Sequence, residues 1–153
     1  MLVALAFSGA VLFSSCDKDD DPKPDTEPTI TDVVVADPNF SLLKAAVTKA
    51  ELADELAAAG TFTVFAPDNA AFAASGITAS TIETLTKDQL VEILTYHVLT
   101  AKVASGSVPA SDAVTTLQGK SLFASKNANG VFVNGVAVKT ADVAASNGVI
   151  HVI

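Results

Sequence analysis

Three Asn-Gly pairs stand within the last quarter of this chain, at 129–130, 134–135 and 147–148, each beside short valine-rich runs. Asn-Gly is the dipeptide that most readily takes the two successive positive φ angles of a type I′ turn, so the first two pairs predict β-hairpins and the third another tight turn. Period-two alternation around them predicts strands over 114–123, 131–133, 136–138 and 149–153. The second half of the chain is therefore expected to be an antiparallel meander.

The segment before it follows a helical period. Asp37-Pro38 offers an N-cap with proline at the first helical position, followed by Phe40, Leu43, Ala46 and Val47 on one face. Thr48 with Glu51 reads as a capping box for a second helix carrying Leu52 and Leu56, and Gly60 as its left-handed C-terminal cap. Residues 61–66, Thr-Phe-Thr-Val-Phe-Ala, are β-branched and aromatic and end at Pro67, which predicts a buried strand. Asp68 is placed to cap a short helix, and Ser80/Glu83 and Thr86/Gln89 read as two more capping boxes. The last opens a helix with Leu90, Val91, Ile93 and Leu94 inward, running into Tyr96-His97-Val98-Leu99. Helices early and strands late predict one α+β domain over 30–153.

The first thirteen residues, MLVALAFSGAVLF, form an uncharged apolar run too short to span a bilayer, as a signal-peptide core is. Small residues then precede Cys16, the only cysteine, which cannot staple a domain. Residues 1–16 resemble a bacterial lipoprotein signal, which implies cleavage before Cys16 and lipidation of its thiol. Phe13 stands where that signal usually has leucine. The missing basic residue after Met1 leads us to expect a start codon upstream. Residues 16–29 are acidic and proline-rich with almost nothing apolar to bury, which predicts a solvated tether. Asp17, Asp19 and Asp21 lack the glycine and closing glutamate of a calcium loop, so no metal is expected there.

Three stretches resemble one family in order and separation. Residues 61–72 are similar to the first signature of fasciclin domains, Tyr96-His97-Val98-Leu99 to their central Tyr-His motif, and residues 147–153 to their second signature. The resemblance covers 29–153. It implies a β-sandwich-like wedge with several short helices packed along one edge, and a role in adhesion or extracellular binding. Because these domains continue into an Asp-led, proline-ended tail, it also implies residues beyond Ile153. In animal members the Tyr-His region is implicated in integrin binding, which points by analogy to Tyr96, His97, Val98 and Leu99 as an adhesion patch. Mostly apolar and flanked by core residues, these four read more naturally as structural.

Acidic residues number 17 against 9 basic ones, a net charge of −8 that repels phosphate backbones, so nucleic acid is not an expected partner. His97 and His151 are the only histidines, and both read as hydrogen-bonded parts of the core or its rim. Asp68 and Asn69 could meet a ligand, but capping alone explains Asp68. Asn39-Phe40-Ser41 has sequon spacing at a helix start and reads as accidental. No Ser-His-Asp order, CxxC pair, HExxH motif or glycine-rich phosphate loop is present, so neither enzymatic activity nor a cofactor is expected. The sequence thus predicts an exported, lipid-anchored module of the bacterial outer membrane or cell surface that binds a protein or glycan. The alternative is a self-associating structural protein of the envelope or biofilm matrix.

Overall fold

The computed structural model describes residues 27–153 apart from 109. The leader, Cys16 and most of the expected tether lie outside the described residues. Six helices follow one another as α1 (Ile30–Ala36), α2 (Ser41–Ala50), α3 (Ala53–Ala57), α4 (Asn69–Ala74), α5 (Ala79–Thr84) and α6 (Lys87–Tyr96). The strands are β1 (Phe62–Ala66), β2 (Val98–Leu99), β3 (Asp112–Thr115), β4 (Ser121–Asn127), β5 (Gly130–Val133), β6 (Val136–Ala137), β7 (Thr140–Ala145) and β8 (Gly148–Val152).

They form two four-stranded sheets, ordered β2-β1-β8-β7 and β3-β4-β5-β6. The second is the expected meander without its last strand: the strand expected over 149–153 lies instead in the first sheet, as β8. The first is mixed: β1 and β8 pair in parallel, Phe62 opposite Gly148 through Ala66 opposite Val152. Parallel neighbours are usually buried on both faces, and β1 is. Its Val64 and Ala66 join the helices in one core with Leu43, Val47, Leu90 and Leu94, while Phe65 joins Leu99, Leu122, Val133 and Ile153 in a second core. The result is the α+β wedge that the fasciclin resemblance implied.

Local signals decide several elements as expected. Asp37 accepts from the Asn39 amide at 2.9 Å and starts a 3₁₀ turn, Pro38–Phe40, that leads into α2. Thr86 and Gln89 form a reciprocal capping box on α6. Asn134 and Gly135 both take positive φ, 49° and 82°, at the β5–β6 turn, as a type I′ turn requires.

Other expectations fail for identifiable reasons. Thr48 and Glu51 do not open a helix. The Glu51 amide donates to the Thr48 carbonyl and the Leu52 amide to the Val47 carbonyl, with Glu51 at φ 56°, so these residues close α2 as a Schellman motif. Gly60 caps nothing: α3 ends at Ala57 with Ala58 extended. Thr78, not Ser80, caps α5, accepting from the Thr81 amide at 3.3 Å, because Gly76 at φ 70° has already ended α4. The expected strand over 114–123 is broken by Gly119 at φ 86° into the separate strands β3 and β4. At 129–130 only Gly130 has positive φ, so that turn is not type I′. The third turn is centred on Ser146 and Asn147, and Gly148 already belongs to β8. Strand β7 was not anticipated, its alternation being hidden by three alanines and an irregularity at Asp142, φ 58°.

Candidate functional site

The polar side chains of the first and last motifs are consumed by joints between elements. Asp68 accepts from the Ala71 amide at 2.7 Å, capping α4, and its other oxygen meets the Lys139 ammonium at 2.7 Å. Asn69 ties α4 to the start of α2: its carbonyl oxygen accepts from the Leu42 amide at 3.1 Å, and its NH₂ donates to the Pro38 carbonyl at 3.1 Å. Asn147, 5% exposed, accepts from the Ile30 amide at 3.0 Å and donates to the carbonyls of Leu56 and Ala58 at 2.6 and 3.0 Å. One side chain thereby fixes the start of α1 and the end of α3 to the β7–β8 turn.

His151, 1% exposed, stacks on Phe65 with ring centroids 5.4 Å apart. Its Nδ1 accepts from the Asp142 amide at 3.2 Å, so its Nε2 carries the proton and donates to the Val103 carbonyl at 2.7 Å. Both ring nitrogens are used.

The central motif divides. Val98 and Leu99, 3% and 0% exposed on β2, are core residues. Tyr96 ends α6, and its hydroxyl accepts from the Asn134 side-chain amide at 2.8 Å, which braces the β5–β6 turn against the helix. His97 caps α6, and its Nδ1 donates to the Ile93 carbonyl at 2.8 Å, since a carbonyl can only accept. In the neutral ring its Nε2 is then a bare acceptor, with no partner among the described residues. No buried side-chain nitrogen or oxygen among the described residues lacks a partner, so this atom is accessible.

His97 also lines a cavity of about 310 Å³ between the helices and β1. Val34, Leu43, Phe72, Ile93 and Val136 contribute to walls that are overwhelmingly apolar. Val35 and Val136, 48% and 49% exposed, both belong to this lining, so apolar surface continues from the cavity to solvent. The sequence offered no sign of this cleft, because it arises from gaps between elements far apart in the chain. The pairing of Asn134 with Tyr96 was equally hidden, since Asn134 read only as a turn residue.

Two carboxylates are held in their charged form. Partial burial raises the pKa of Asp68, but the Lys139 ammonium and the Ala71 amide outweigh it, leaving it below 3.8. The Ser105 hydroxyl and amide lower that of Asp142. The unfolded chain therefore binds these protons more readily. Stability from both groups is complete above their ordinary range and is lost as pH falls through the lowered values. We expect these two groups to make the melting temperature fall as pH drops below about 4. Calorimetric scans across this range check it, and Asp142→Asn should flatten the fall.

A helical layer on a mixed sheet, a meander sheet on the other face and motif side chains spent in the joints make up the fasciclin-domain architecture. The fasciclin domain model matches residues 38–153, and the chain belongs to this family. It is 47% identical over 133 residues to protein sll1483 of Synechocystis sp., covering 84% of this chain and 72% of that protein. It is 38% identical over 125 residues to transforming growth factor-beta-induced protein ig-h3 of Sus scrofa, covering 82% of this chain but only 18% of that protein. Among solved structures, the FAS1 domain pair of the insect cell adhesion molecule fasciclin I matches in fold with TM-score 0.68 at 18% identity, covering 83% of this chain and 49% of that one.

Proposed function

We propose that this chain is a non-enzymatic adhesion or binding module displayed on the bacterial envelope. In this reading Cys16 carries the lipid anchor, residues 17–29 are the tether, and the folded domain meets a protein or glycan partner. One observation carries the non-enzymatic part. Among the described residues each histidine ring bonds only to backbone groups, His97 to the Ile93 carbonyl and His151 to Val103 and Asp142. Nucleophilic catalysis needs a base in reach of a nucleophilic side chain, and neither imidazole has one. Family membership and the fold shared with a cell adhesion molecule support the binding role.

Attachment tests the reading. Cells making the wild-type chain should adhere to their natural surface, and cells lacking it should lose most of that adhesion. Cys16→Ala should take up no labelled palmitate and should also lose adhesion, because the domain is released. Equal adhesion with and without the chain contradicts the proposal.

Self-association in the envelope or biofilm matrix is favoured by a different observation: Phe123 on β4 and Leu117 in the β3–β4 connection are 58% and 43% exposed. Concentration-dependent sedimentation decides this reading, and a strict monomer rules it out.

A further inference from the structure

We infer that the cleft beside His97 binds a single-chain amphiphile, with its apolar chain between the helices and β1 and a hydrogen-bond-donating head on His97 Nε2. Three observations point to this ligand class.

The first is size. At about 310 Å³ the cavity lies at the lower limit of small-ligand sites. It is about twice the 150 Å³ apolar cavity that takes up benzene, and far too small for a helix about 10 Å across. At roughly 30 Å³ for each small group, it has room for about ten. The second is chemistry. The lining is mostly carbon, which favours an alkyl chain; Thr31, Lys44, Thr48 and Ser75 are further polar members, and Val35 and Val136 extend the apolar surface outward. The third is polarity. In its neutral form His97 gives its one proton to the Ile93 carbonyl, so its other nitrogen accepts and selects a head that donates, such as a glycerol hydroxyl.

The test uses the full chain carrying Cys16→Ala, so that no acyl group of its own competes. It is titrated with 1-monodecanoylglycerol below the micellar concentration, followed by methyl NMR. Methyl signals of Val34, Leu43, Val47 and Ile93 should shift together and saturate. Val136→Glu, on an exposed edge strand, should keep the wild-type amide spectrum and bind about tenfold more weakly, since it places a charge at an apolar mouth. Methyl decanoate, neutral and without a proton to donate, should bind at least about fivefold more weakly than the glyceride, as should the glyceride to His97→Ala. Absence of saturable shifts overturns the inference. So does Val136→Glu binding like wild type, or methyl decanoate binding as well as the glyceride. If His97→Ala does not fold, those other two comparisons decide.

Discussion

Replacing Gly148 by alanine is expected to lower the melting temperature by on the order of 15 °C, about 4 kcal/mol for a domain of this size. A Cβ at this position would lie 2.1 Å from the Phe62 carbonyl oxygen and 2.9 Å from Ile30 Cδ1. Neither contact is compatible with van der Waals radii, and the first involves backbone, which cannot rotate away. Relief requires β8 to move off β1 at the end of the parallel ladder, where Phe62 stands opposite Gly148. That movement also disturbs the Phe62 amide, which donates to the Asn147 carbonyl at 3.0 Å. The glycine is therefore needed for close approach rather than for a left-handed turn. Gly119→Ala is the comparison: its Cβ meets nothing within 4 Å, so only the strain of φ 86° remains and the loss should be about 1 kcal/mol. Urea titrations of both variants check the ratio.

Asn147→Ala should cost about 3 kcal/mol. The truncation strands the Ile30 amide and the carbonyls of Leu56 and Ala58 in a buried joint, and each unsatisfied buried group costs roughly 1 to 3 kcal/mol unless water reaches it. Asn147→Asp sharpens the test. It keeps an acceptor for Ile30 but turns a carboxylate oxygen towards two carbonyl oxygens, so it should be no more stable than the alanine variant. Circular dichroism melts of the three proteins decide this. If the aspartate variant matches wild type, the two donated bonds do not hold the joint.

Both residues lie in the second signature, and their roles show where a sequence can be read and where it cannot. Caps at Asp37, Asp68 and Thr86 were legible because donor and acceptor are at most three residues apart. The same short pattern misled at Thr48 and Glu51, since three-residue spacing cannot distinguish a helix start from a Schellman end when the residues that decide, Val47 and Leu52, are buried for tertiary reasons. The α+β class and the family were legible from periodicity and the three motifs. The parallel β1–β8 pairing was not, because six other strands and three α-helices separate its two strands in the sequence. Nor was the clamp at Asn147, whose partners Ile30, Leu56 and Ala58 are remote in sequence.

The candidate site was half legible. Tyr96 and His97 stood out by resemblance, yet the sequence grouped them with Val98 and Leu99, which the core absorbs. It also treated His97 and His151 alike, whereas His151 has both nitrogens bonded and His97 keeps one free. That difference underlies the account, in which most motif side chains build the fold and recognition falls to what they leave open.

It can be measured directly by long-range proton–nitrogen NMR of the two imidazoles at neutral pH. His151 should be the Nε2–H tautomer with a slowly exchanging proton. His97 should be the Nδ1–H tautomer with an unprotonated Nε2 that shifts when ligand is added. Finding His97 in the Nε2–H tautomer, with its accessible nitrogen already protonated, would contradict the account.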